Sequence, residues 1–203
     1  MEASLTTEKT ETLAEQLKRQ TTTVHESLDK RIIRARPFDS EQNYLGFLKM
    51  QLCFHWLVRP LFNDPNVAAL MGNISHGCRF DQVVQDCLDL NLNVEQQQQL
   101  LASVLPLKVT AAEAVGWIYT IEGSNIGGAF LFKMAKQIGL NEDRGALHLA
   151  GHIDGRAKHW REVKQCINQL DLNSAEQQQM IAGARDAFSF VRHKVEEFLP
   201  ACD

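Results

Sequence analysis

The chain has 203 residues, 44% of them hydrophobic, and a formal net charge of −4 from 21 basic and 25 acidic side chains. That length suits one domain whose core could enclose a sizeable ligand, while the negative charge and scattered Lys and Arg argue against a nucleic-acid surface. The charged opening MEASLTTEKTETLAEQLKRQ, with no later run of 18 apolar residues, argues against a leader peptide or a membrane span, so we expect a soluble, cytoplasmic, monomeric protein.

Strict apolar–polar alternation is nearly absent, so the predicted fold is all-α, a single domain over residues 1–203 with residues 1–8 flexible. A first helix is expected after Thr6 or Thr7, ending near Arg36-Pro37, with a buried stripe of Leu13, Leu17, Val24 and Leu28. Asp39-Ser40 caps a second, whose stripe is Tyr44, Phe47, Leu48, Leu52 and Trp56 and which stops between Pro60 and Pro65. Gly72, Asn73, Ser75 and Gly77 mark a loop. Two shorter helices follow over residues 80–90 and 94–105, with the glutamine run 96–99 facing water. A long helix spans residues 110–140 and is closed by Gly139. After a loop over 141–155, helices at 156–170 and 174–199 complete the chain, the last opened by Ser174 with Gln177 three residues on. Cys53, Cys78, Cys87, Cys166 and Cys202 form no C-x-x-C and read as reduced packing residues.

Within the long helix, residues 119–130 read YTIEGSNIGGAF. A glycine in a helix interior costs ~1 kcal/mol relative to alanine, so Gly123, Gly127 and Gly128 together forgo roughly 3 kcal/mol. On a 3.6-residue repeat Tyr119, Gly123, Ile126 with Gly127, and Phe130 share a face, so bare backbone lies between two aromatics. Either a neighbouring helix comes close there or a flat ligand lies against it. A phosphate loop is disfavoured, because the spacing is G-x-x-x-G-G, no strand precedes it and no Walker lysine follows.

A second oddity is His25 on the first helix, with Lys18 two turns before it and Asp29 one turn after. A neutral imidazole ligates iron well when its other nitrogen meets a carboxylate or bridging water, which Asp29 is placed to supply. A haem held between a histidine helix and a glycine helix accounts for both features at once. Around His25, LKRQTTTVHESLD, and in the long helix, YTIEGSNIGGAFLFK, the chain resembles the proximal and distal helices of haem oxygenases, especially the compact bacterial type.

The resemblance implies O₂- and electron-dependent opening of haem to biliverdin, Fe²⁺ and CO, with haem both substrate and prosthetic group. His25 is then the axial iron ligand, and Lys18, Asp29, Tyr119, Gly123, Asn125, Gly127 and Gly128 contact haem or its ligand. Where the animal enzymes place an aspartate after the first distal glycine, this chain has Ser124. The acid's task of holding ordered water then falls to His55, Arg79 and Trp160 by the same resemblance. Oxygen bound over Gly123 and Gly127 would meet only backbone and water, which suits attack on the porphyrin edge. No flavin fingerprint or cluster-ligand cysteine spacing is present, so an external reductase or ferredoxin is implied.

Three other readings compete. A di-iron carboxylate bundle needs paired Glu-x-x-His motifs, which are absent. His148 and His152, four apart in HLAGH, could seed a metal site, but their setting favours a solvated turn. A non-catalytic haem carrier uses the same pocket, though a carrier would more often cover both axial positions with side chains.

Overall fold

The computed structural model of the chain describes residues 11–72, 78–151 and 155–199. The described residues form eight α-helices: α1 Leu13–Arg34, α2 Glu41–Val58, α3 Pro65–Met71, α4 Phe80–Asp89, α5 Val94–Ala102, α6 Ala111–Gln137, α7 Arg156–Asn168 and α8 Ser174–Phe198. Short 3-10 turns lie at Arg59–Asn63 and Leu147–Leu149. The all-α expectation holds, and among the described residues no helix is long and apolar enough to cross a membrane.

Caps decide where the boundaries differ from expectation. Thr6 and Thr7 lie outside the described residues, and α1 is capped by Thr12, whose hydroxyl accepts the Glu15 N–H while the Glu15 carboxylate accepts the Thr12 N–H. For α8 the cap is Asn173 with Glu176, one residue before the expected Ser174 and Gln177; the Asn173 carboxamide oxygen takes the Ala175 and Glu176 N–H groups together. The stretch after residue 60 contains α3, started by the Asp64 cap and Pro65 at its first position. Gly139, at φ +81°, follows the end of α6 as expected.

The centre of the fold is the α6–α8 pair. A Cβ on Gly116 would overlap the Met180 carbonyl oxygen and the Ala184 nitrogen, and one on Gly183 the Glu113 carbonyl oxygen, so each helix offers a glycine to the other's backbone. Helix α1 packs on α8, α7 on α6 and α1, and α2 on α8 and α4. At Gly46 a Cβ would overlap the Phe198 carbonyl. Cys53 and Cys87 are buried in this core, and Cys78 and Cys166 partly so, all as free thiols; Cys202 lies outside the described residues.

Three side chains depart from their expected environment. Trp56 is 39% exposed and stacks on Phe80 at 5.4 Å, because α2 is buried on most of its circumference and periodicity does not single out its open side. Gln97 is buried and donates to the Leu92 carbonyl at 2.8 Å, since four consecutive helical positions cannot all face water. Val24 is 39% exposed although Leu17, Thr21 and Leu28 on the same stripe are buried. The packed stripe of α1 is thus interrupted at the turn that carries His25.

Candidate active site

Helix α6 continues without a break through Gly123, Gly127 and Gly128, and each meets something different. At Gly123 the Trp160 indole edge of α7 lies 3.3 Å from where a Cβ would be. Gly127 is exposed and faces open space. Gly128 is buried against Arg156, whose guanidinium donates to the Asn125 carbonyl at 2.6 Å and to the Leu149 carbonyl, so Gly128 serves the α6–α7 contact. Beside Gly127 the apolar side chains Ile126 and Phe130 are 40% and 63% exposed. Ser124 is exposed and its hydroxyl donates to the Ile121 carbonyl at 2.6 Å, so it is tied to its own helix.

His25 is 59% exposed on α1, with its Nε2 3.4 Å from the Asp29 carboxylate and its ring centroid 5.4 Å from that of Phe188 on α8. The imidazole is therefore no core residue, and one ring nitrogen is left clear of the carboxylate. Lys18 is exposed two turns earlier. Tyr119 is buried, near Thr21 of α1 and set against Trp160 at 5.2 Å; burial pushes its phenol above the usual range. The phenol thus reaches α1 three residues from Lys18. One turn beyond Thr21 on α1 and two and three turns beyond Tyr119 on α6, apolar side chains stand uncovered: Val24, and Ile126 with Phe130.

His55 and Arg79 sit together, but behind this face. Both are buried; His55 Nδ1 accepts the Arg79 backbone N–H at 3.3 Å, and the Arg79 guanidinium donates to the His148 and Ala150 carbonyls at 2.8 and 2.6 Å. Burial, with the neighbouring His148 and Arg79, pushes His55 down to about 3, so it is neutral. His148, expected in a solvated turn, is instead buried, its Nδ1 2.6 Å from the equally buried Asp86. Asp86 also accepts the backbone N–H groups of Leu147 and His148, which explains why this turn is drawn inward. Tyr44 Oη and His148 Nε2 are buried polar atoms without a protein partner near Asp86, sites where ordered water is the usual solution. His152 lies outside the described residues, and among the described residues no cluster of His, Cys, Asp and Glu could hold a metal ion.

A further pair was not anticipated. Glu122, fully buried and adjacent to Gly123, lies 2.7 Å from His159 Nε2 on α7, and Asn125 Nδ2 donates to the same carboxylate oxygen at 3.3 Å. Its signal in the sequence was a lone carboxylate between Ile121 and Gly123 in an otherwise apolar run, which demands a buried partner.

The family profile described as Heme oxygenase matches residues 68–197. Heme oxygenase PigA of Pseudomonas aeruginosa is 34% identical over 165 residues, 81% of this chain and 82% of its own length. The chain belongs to the haem oxygenase family. The crystal structures of the NO- and CO-bound haem oxygenase from Neisseria meningitidis superpose with a TM-score of 0.81 at 36% identity, over 94% of both chains. Heme oxygenase-1 of the cyanobacterium Synechocystis, in complex with heme, shares the fold at 18% identity and a TM-score of 0.71, over 92% of this chain and 91% of that one. As a member of this family the chain is a haem-degrading enzyme that binds haem.

Proposed function

We propose that this haem oxygenase holds haem between α1 and α6 and opens it to biliverdin, chiefly the α isomer, with release of Fe²⁺ and CO. Bound haem supplies the iron that takes O₂ and the macrocycle that is cut. The observation that carries the reading is the interrupted stripe of α1: an exposed histidine beside exposed Val24, within a stripe otherwise buried. An imidazole with one nitrogen clear of Asp29 fits an iron ligand, and Val24, Phe188, Ile126 and Phe130 fit the flat apolar surface of a macrocycle.

Gly123 and Gly127 bring backbone rather than side chain to the opposite side, and Asn125, half-buried between them, orders that backbone through Glu122. Lys18 and Tyr119 offer a cation and a phenol to the propionates, which fixes the seating and hence the edge that is cut. Ser124 cannot replace an acid while its hydroxyl is bonded to Ile121, so water is held instead near His55, Arg79 and His148, where His148 Nε2 has no protein partner. Electrons come from a separate reductase or ferredoxin, and the enzyme works as a cytoplasmic monomer.

Haemin added to the purified protein is expected to give a Soret band that disappears under air with a reductant while biliverdin appears. A band that persists under those conditions would identify a carrier, and no band would refute the pocket.

A further inference from the structure

Glu122 has no exposed surface, and it stands in α6 one residue before Gly123. Its Oε2 meets His159 Nε2 at 2.7 Å and Asn125 Nδ2 at 3.3 Å, while Oε1 is buried without a protein partner. An unpaired carboxylate in that position would cost several kcal/mol, so the contact ties α6 to α7. The residue after His159 is Trp160, whose indole edge approaches to 3.3 Å of the missing Gly123 Cβ and stacks against Tyr119 at 5.2 Å. One turn before His159, Arg156 grips the Asn125 carbonyl. Polar ties on either side of Gly123 therefore run to the same face of α7, the face that carries the indole.

We propose that the Glu122–His159 pair is a positioning device for the distal face: it seats Trp160 over Gly123 and so sets how much of the glycine face the substrate reaches. The importance of that face rests on the reading that haem lies against Gly123. The groups around His159 are Glu122 from α6, Glu162 from α7 itself and Arg79 from the segment before α4, while Cys78 and Arg79 also face Glu122. The hydrogen bond that the ring donates to Glu122, offset in part by burial and Arg79, holds the imidazole above its ordinary value. The tie is thus an ion pair below that raised pKa and weakens to a hydrogen bond from a neutral imidazole to the carboxylate as pH rises through it. The seating of Trp160 follows the same equilibrium.

The test is nitrogen-15 NMR of the haem-free protein, reading the indole N–H of Trp160, assigned by its loss in Trp160→Phe. In the unmodified protein the Trp160 signal is expected to move with pH at the midpoint of the His159 ring protons. Glu122→Gln should lower that midpoint and displace the indole signal at neutral pH, and His159→Gln should remove the pH response. The Trp56 and Trp117 indole signals stay in place in both variants if the fold is intact. A Trp160 signal indifferent to pH while His159 titrates overturns the proposal, and this needs no substitution should a variant fail to fold. Zinc protoporphyrin IX added to the unmodified protein tests the underlying reading separately. Movement of the Trp160 signal supports haem against Gly123, and an unmoved signal refutes that seating whatever the pair does.

Discussion

Alanine substitutions at Gly116 and Gly127 should have opposite signs, although both residues lie in α6 and both gain about 1 kcal/mol of helix propensity. At Gly116 the added methyl meets the Met180 carbonyl oxygen and the Ala184 nitrogen, backbone atoms that no rotamer change can move. Restoring a contact of about 3.5 Å to that oxygen requires α6 and α8 to part by roughly 1.5 Å, and a gap of that size forfeits at least about half of each van der Waals contact along the crossing. The upper end of the usual overpacking range, about 3 kcal/mol, is then a lower bound, and the net loss is at least about 2 kcal/mol. For a domain of this size that lowers Tm by roughly 4–8 °C. At Gly127 nothing lies within 4 Å of the new methyl, so Gly127→Ala should raise Tm by about 2–4 °C. Thermal unfolding of the haem-free protein by circular dichroism measures both. A destabilised Gly127→Ala would show that the glycine is structural after all, and an unchanged Gly116→Ala would refute the close crossing. A glycine kept where alanine is more stable is one retained for the open face.

His25→Ala should abolish the Soret signature of the ligated complex and biliverdin formation, while far-UV helicity is kept and stability stays within about 0.5 kcal/mol of the parent, because the side chain is exposed. A helicity loss would contradict that placement. Gly123→Leu is expected to displace the Trp160 indole and suppress biliverdin in favour of peroxidase-like side reactions with haem affinity largely kept; product formation at the parent rate would return Gly123 to packing. Loss of Lys18 and Tyr119 together should give mixed biliverdin isomers with iron ligation retained, resolved by chromatography of the dimethyl esters. Predominant β or δ product from the parent would point to other basic residues such as Arg185 or Arg192. For His55 the unfolded chain titrates near 6.5 and the folded one near about 3, so the unfolded state binds the extra proton between those values. The contribution is whole above pH 6.5 and falls as pH drops, by about 2 kcal/mol at pH 5. Urea unfolding at pH 7 and 5 should show this loss in the parent and a smaller one in His55→Gln; equal losses would place His55 in water.

Where the chain is helical could be read without any tertiary information, because the 3.6-residue period and the capping residues act within four positions of each other. That locality also explains the errors, which lie at the caps: one residue at Asn173, and five or six at Thr12, where several threonines compete for the same role. His25 and the glycine window stood out because each breaks a local preference, an imidazole beside an apolar stripe and three glycines in a helix. Other features were decided by contacts between residues far apart in the chain. Gly116 and Gly183 carry the central crossing, yet in sequence neither differs from Gly123, because what distinguishes them is the backbone of another helix. Gly128 joined the distal site by resemblance and is claimed by Arg156 in space. His148 looked like a loop residue until Asp86, 62 positions earlier, drew it inward. Glu122 announced that it needed a partner, but His159, 37 positions later, could be named only once α7 lay on α6. Local hydrogen bonds and side-chain periodicity select the elements; burial, which depends on every other element being in place, selects which residues each one meets.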